Sequence, residues 1–281
     1  MCDTMRHLRL PGGGDLPVLG QGTWGMGERS SARDTEVAAL RRGLDLGVGL
    51  IDTAEMYGNG GAEEVVGAAM SGRRDEVFLV SKVFPHNASR RGTVEACERS
   101  LRRLGTDHID LYLLHWRGGT PLAETLEAFE GLRDSGKIRY FGVSNFDPGD
   151  LRELWEHELG RAIATNQVLY NLTRRGIEYD LLPWCRQQEL PVMAYSPIEQ
   201  GRLLGDSELG RIADRHSATP AQVAIAWVLA SEGVCAIPKA ASEEHVEQNH
   251  AALEIELSEE DLAALDARFP APGHAVPLEI L

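Results

Sequence analysis

The chain has 281 residues, 43% hydrophobic and 25% charged, which is ordinary for a globular protein and enough for one large domain or two modest ones. Its formal net charge of -15, from 43 acidic against 28 basic residues, repels phosphate backbones and argues against nucleic acid as a partner. An anionic cofactor stays admissible, because a few local cations and helix N-termini can reverse the potential inside a cleft.

In chain order, 5–19 reads as a β-hairpin turning at Gly12-Gly13-Gly14, with Val18-Leu19 as the first barrel strand. Helical and strand patterns then alternate. Helices are predicted at 33–46, 63–70, 90–104, 121–134, 150–157, 179–188, 208–216 and 243–252, with extra ones at 220–229 and 259–267. Strands are predicted at 49–51, 77–81, 109–114, 139–143, 164–168, 191–195 and 234–237. Ser258 followed by Asp261 is an acidic variant of the capping box. Eight strand-like segments without a linker predict an α/β fold: one (β/α)8 TIM barrel over 1–281, with an N-terminal β-hairpin and extra C-terminal helices. The open dinucleotide fold is disfavoured. Gly20-Gln21-Gly22-Thr23-Trp24-Gly25 offers glycines, but Trp24 stands where close backbone approach is wanted.

Four cysteines, Cys2, Cys97, Cys185 and Cys235, have no short-spaced pair, so neither a disulfide framework nor a zinc ribbon is implied. No secretory signal pattern and no run near ~20 apolar residues is present, so the expectation is a cytoplasmic protein with no membrane partner. The histidines show no ligand spacing, and no metal site is expected.

In a barrel, chemistry belongs at the C-terminal strand ends. Asp52, Lys82, His115, Ser144, Asn145, Gln167, Tyr195 and Ser196 all fall there, and Tyr57 follows Asp52 on a glycine-rich loop. Taken singly each has an ordinary explanation: Asp52 a turn cap, Tyr57 packing, Lys82 a surface ion pair, His115 a core-edge histidine. Placement on consecutive strand ends favours a proton-transfer site. A tyrosine with pKa ~10 is a reluctant acid at neutral pH. An ammonium at Lys82, held by Asp52, is expected to lower that value, with His115 orienting a carbonyl oxygen or relaying a proton. No side chain supplies hydride, so carbonyl reduction here requires a nicotinamide.

These residues carry a resemblance to the aldo-keto reductase superfamily. It rests on Ile51-Asp52-Thr53-Ala54-Glu55-Met56-Tyr57-Gly58, Val80-Ser81-Lys82-Val83, Leu113-Leu114-His115-Trp116 and Gly142-Val143-Ser144-Asn145-Phe146. Asn166-Gln167-Val168, Ala194-Tyr195-Ser196-Pro197 and Ile237-Pro238-Lys239 extend it, and the ending resembles bacterial methylglyoxal-reducing members. The resemblance implies a catalytic tetrad of Asp52, Tyr57, Lys82 and His115, with Tyr57 as general acid, and a substrate pocket of Trp24, Tyr57, His115 and Trp116. It implies NADPH, extended across the barrel mouth. Gly22, Thr23, Trp24, Asp52, Ser144, Asn145, Gln167, Tyr195, Ser196, Pro197, Ile198, Gly201 and Arg202 would meet its nicotinamide and pyrophosphate half. Ile237, Pro238, Lys239, Ala240, His245, Gln248 and Asn249 would meet its adenosine half.

Ala240 and His245 depart from the serine and arginine common there, which weakens the grip on a 2′-phosphate and leaves NADH as the alternative cofactor. The implied partner is a small carbonyl compound, the implied assembly a monomer. A short segment after Phe269 leads us to expect an open mouth and a broad aldehyde range. The alternative function is a cofactor-binding regulatory subunit of the same fold, to which an intact tetrad is superfluous.

Overall fold

The computed structural model describes residues 5–281. Strands β1 (His7–Arg9) and β2 (Asp15–Pro17) pair antiparallel, as the glycine turn between them predicts. Gly12 and Gly13 take φ 89 and 98, which a side chain would resist. The hairpin packs on Tyr140: a Cβ on Gly14 would fall 2.3 Å from its hydroxyl.

Eight parallel strands follow: β3 (Gly20–Gly22), β4 (Leu50–Asp52), β5 (Phe78–Val83), β6 (Ile109–Leu114), β7 (Ile138–Ser144), β8 (Asn166–Leu169), β9 (Val192–Tyr195) and β10 (Val234–Ala236). Neighbours in sequence are neighbours in the sheet. The two edges meet through bridges Leu19↔Ala236 and Gly22↔Lys239, with Ala236 N–H donating to the Val18 carbonyl at 2.8 Å and Gly22 N–H to that of Pro238 at 3.0 Å. The fold is thus the expected (β/α)8 barrel.

The first barrel strand lies two residues beyond its predicted position at Val18-Leu19. Packing at the seam is the reason. A Cβ on Gly20 would lie 2.5 Å from Leu50, and one on Gly22 would lie 2.7 Å from the Ile237 carbonyl. Tight contact selects residues without an apolar side chain, so the strand carries no hydrophobic signal.

The helices around the barrel are α1 (Arg33–Asp45), α2 (Gly61–Met70), α3 (Arg90–Leu104), α4 (Leu122–Asp134), α5 (Pro148–Glu156), α6 (Leu181–Gln187), α7 (Ser207–Arg215) and α9 (Glu243–Ala251). The extra helices are α8 (Pro220–Ala230) and α10 (Glu259–Arg268), close to their predicted bounds. Local chemistry sets their ends. Ser89 caps α3 by accepting from Gly92 N–H, and Gly105 ends it at φ 65. Between these caps, Thr93, Ala96, Cys97, Ser100, Leu101 and Leu104 fall at helical spacing and are buried. The Ser258–Asp261 capping box starts α10. No helix among the described residues is long and apolar enough to cross a membrane.

Candidate active site

Parallel strands side by side bring their C-terminal residues to one rim. Asp52 ends β4, Lys82 is the penultimate residue of β5, His115 follows β6, and Ser144 ends β7 with Asn145 next. Gln167 pairs with Ser144 across β7 and β8, and Tyr195 ends β9. Alternation then sorts the side chains. In β5, Ser81 donates outward to Glu63 of α2 at 2.6 Å, while Lys82 reaches Asp52.

The rim encloses a cavity of about 670 Å³, within the usual range for small-molecule sites. It is lined by Gly22, Thr23, Trp24, Asp52, Tyr57, His115, Trp116, Ser144, Asn145, Gln167, Tyr195, Ser196, Pro197, Ile198, Gly201, Ile237 and Lys239. All were singled out in the sequence. Gly25, Met56, Gln200, Ile280 and Leu281 also line it and were not.

Asp52 and Lys82 form a buried ion pair. Lys82 Nζ donates to Asp52 Oδ1 and Oδ2 at 2.9 and 2.7 Å and to the Thr53 carbonyl at 2.8 Å, and lies 3.5 Å from the Tyr57 hydroxyl. Gln167 Nε2 donates to Asp52 Oδ1 at 2.7 Å, so the carboxylate is satisfied on both sides. Burial draws the Lys82 pKa below its ordinary value, and the Asp52 charge pulls it back.

The Tyr57 pKa lies well above 10, raised first by burial and then by the Asp52 charge. That differs from the lowering expected from Lys82 alone: desolvation of a phenolate outweighs the ammonium at 3.5 Å. A raised value keeps the hydroxyl protonated, as a proton donor must be. His115 is driven the other way, to about 2, by burial and then the Lys82 charge. It is therefore neutral near pH 7, a group that can orient an oxygen by hydrogen bonding rather than one that arrives charged. Its Nδ1 is buried with no hydrogen-bond partner.

The other polar groups are held in place before any ligand arrives. Ser144 Oγ donates to the Gln167 carbonyl at 2.9 Å, and Asn145 Nδ2 to the His115 carbonyl at 3.1 Å. Tyr195 donates its hydroxyl to Asn145 Oδ1 at 3.0 Å, which fixes the ring at the rim. Asn145 and Ser196 take φ 58 and 53, left-handed conformations that cost roughly 1–3 kcal/mol each in a non-glycine residue. Such strain is retained where a side chain must be aimed.

Seven predicted residues do not line this cavity: Lys82, which is buried against Asp52, and six cofactor candidates. Arg202 is exposed and donates to Glu199 at 2.8 Å and to Gln200 Oε1 at 3.0 Å. Pro238, Ala240 and Asn249 line a small separate cleft with Gln21, Val48 and Val246. His245 is exposed on the first turn of α9, and Gln248 Nε2 donates to Glu244 at 3.4 Å. Lys239 is exposed, lines the main cavity and forms no ion pair among the described residues.

The expectation of an uncovered mouth is corrected. Segment 270–281 runs back to the cavity, where Ile280 and Leu281 form part of its wall. Met56, next to Tyr57, was findable from adjacency. Nothing in the sequence marks the return of the final segment.

A barrel with a lysine–aspartate pair and a tyrosine hydroxyl at one rim has close counterparts. The aldo/keto reductase family model matches residues 18–268. Methylglyoxal reductase YeaE of Escherichia coli is 56% identical over 281 residues, covering 98% of this chain and 99% of that protein. Glyoxal reductase of Bacillus subtilis is 36% identical, covering 92% and 91%. An aldo/keto reductase from Klebsiella pneumoniae, solved in complex with NADP and acetate, superposes with a TM-score of 0.96 at 54% identity, covering 99% and 100%. The chain belongs to the aldo/keto reductase family of oxidoreductases.

Proposed function

We propose that this chain is an NADPH-dependent reductase of small aldehydes, ketones and dicarbonyls of the methylglyoxal kind. The observation that carries the reading is the Tyr57 hydroxyl beside the cavity, 3.5 Å from an ammonium that Asp52 holds at 2.7 Å. The residues present fit a nicotinamide: Asp52 occupies the amide nitrogen of Gln167 and leaves its oxygen free to accept, and Tyr195 presents a fixed ring at the rim. Gly22, Ser196, Gly201 and Lys239 line the rest of the way and would hold the phosphates. When bound, the cofactor supplies hydride to the carbonyl carbon.

The chain's own residues do the remainder. Trp24 and Trp116 bound the carbonyl compound, and neutral His115 hydrogen-bonds its oxygen. Tyr57 gives its proton to that oxygen as negative charge develops there. Lys82 stabilises the phenolate left behind, and Asp52 keeps Lys82 charged and in place. The similarity to YeaE and glyoxal reductase supports the dicarbonyl class. A monomer fits the surface: of the large exposed apolar side chains among the described residues, Trp24, Met56, Ile280 and Leu281 belong to the cavity, and only Tyr179 lies outside it. Free, buried Cys97, Cys185 and Cys235, with thiol pKa values pushed up by burial, suit a reducing cytoplasm.

The test is the initial rate of NADPH consumption with methylglyoxal, for wild type and Tyr57→Phe. Turnover that falls by about 10²–10⁴-fold in the variant, with NADPH binding retained, is expected. Equal rates overturn the role of Tyr57. Tight NADPH binding without turnover of methylglyoxal or aromatic aldehydes by the wild type moves the regulatory-subunit reading forward.

A further inference from the structure

Glu199 lies in the loop between β9 and α7, its carboxylate buried and its backbone at φ 50. Three side chains converge on it. Asn171 Nδ2 donates to Oε2 at 2.8 Å, Arg202 Nη2 to Oε1 at 2.8 Å, and Arg174 Nε and Nη2 to Oε1 at 3.2 and 3.1 Å. The remaining guanidinium nitrogen of Arg174, Nη1, donates to Glu279. One arginine therefore joins two walls of the cavity: the loop bearing Ser196 to Gly201, and the segment bearing Ile280 and Leu281. Arg174 itself does not line the cavity.

The two arms differ. The Glu199 side chain is 5% exposed and that of Glu279 is 47% exposed. The first arm is sheltered, while the second is open to water and screened by salt. Upstream, the segment is fixed where Arg175 donates to Asp266 at 2.7 Å and to the Phe269 carbonyl. It touches the same 171–178 stretch again at Gly176, where a Cβ would sit 2.8 Å from Val276. Beyond that point Glu279 is the ionic tether, and Leu281 lies near the Tyr195 hydroxyl.

We infer that Glu279 and Arg174 are positioning residues that set substrate size: Glu279 latches the 276–281 segment over the carbonyl end of the cavity, and Arg174 makes the latch depend on the Glu199 loop being in place. This rests on the reductase reading above. The consequence is a coupling between the cofactor wall and the substrate wall. Small carbonyl compounds gain from closure, and bulky ones are resisted by it.

The test compares wild type, Glu279→Gln and Arg174→Met in three measurements: amide hydrogen exchange of 276–281 without ligand, NADPH Kd by fluorescence, and KM and kcat for methylglyoxal and a bulky aromatic aldehyde. Glu279→Gln is expected to exchange faster and to raise the methylglyoxal KM about two- to fivefold. Its kcat and NADPH Kd stay unchanged, and the KM for the bulky aldehyde does not rise. Arg174→Met adds a weaker NADPH Kd. Salt at about 0.5 M moves the wild type toward Glu279→Gln and leaves that variant unmoved. Wild-type exchange and KM values in Glu279→Gln overturn the inference, and so does an equal loss with both aldehydes. Should the wild type turn over neither aldehyde, the reductase reading fails, and the exchange and Kd data still decide the latch.

Discussion

Two buried carboxylates sit at opposite ends of the barrel sheet. Asp110, near the start of β6, accepts from Arg74 and Arg139 at 2.7 Å each and from Leu79 N–H at 2.9 Å. Asp52, at the end of β4, accepts from Lys82 and Gln167. The arginine side chains on Asp110 are 18% and 61% exposed, so their charge is shared with water. Lys82 is fully buried and hydrogen-bonds Asp52, Thr53 and Tyr57 rather than water. One cluster ties strand starts together. The other holds a fully buried ammonium 3.5 Å from a hydroxyl beside a cavity, and that difference separates a structural ion pair from a chemical one.

Lys82→Met should separate the two most sharply. It leaves Asp52 buried with Gln167 alone, so stability falls by about 3–5 kcal/mol, and carbonyl reduction falls on the order of 10²-fold or more. Urea unfolding and steady-state kinetics read both, and a variant of wild-type activity would place Lys82 in the structural class. The next effect is pH-dependent. An imidazole held near 2 takes up its proton only on unfolding, so stability is full above pH 6.5 and declines as pH falls toward 2. The slope from His115 is about 1.4 kcal/mol per pH unit. Denaturation at pH 6.5 and 4.5 should show His115→Gln losing that much less per unit than wild type, and equal slopes would mean that His115 protonates in the folded state.

Activity carries a matching signature. The rate should fall on the alkaline side, where Lys82, its pKa drawn below the ordinary value, loses the charge that supports Tyr57, with no inflection near 6.5. The smallest effect belongs to the other cluster. Asp110→Asn should cost about 1–3 kcal/mol of stability with kcat unchanged. Loss of kcat there would erase the contrast.

The alternation of strands and helices made the barrel legible, because buried parallel strands are continuous apolar runs and their helices carry a 3.6-residue period. The rim residues were legible for the same reason: Asp52, Lys82 and His115 end apolar runs on consecutive strands, a joint placement their separate ordinary explanations do not cover. The first strand was not, since Gly20 and Gly22 are chosen by contacts with Leu50 and Ile237, far away in sequence. Protonation states were not either. Whether Lys82 or burial dominates at Tyr57 depends on depth in the folded chain, and depth outweighed the charge. The wall formed by Ile280 and Leu281 depends on a path over the surface that Arg174 and Glu279 fix, and neither residue stands in a motif.

The barrel seam also has a consequence for the growing polypeptide. Gly22 and Lys239 meet there, one from the first strand and one just past the last, and both line the cavity. During synthesis the first seven strands can emerge from the ribosome and begin to pair while the site is still missing a wall. Contacts so distant along the chain form late, because the intervening loop must be closed first. A fragment that stops short of β10 has Asp52, Tyr57, Lys82 and His115 but lacks the part of the cavity wall made by Ile237, Lys239, Ile280 and Leu281. Binding at this mouth is thereby tied to completion of the barrel.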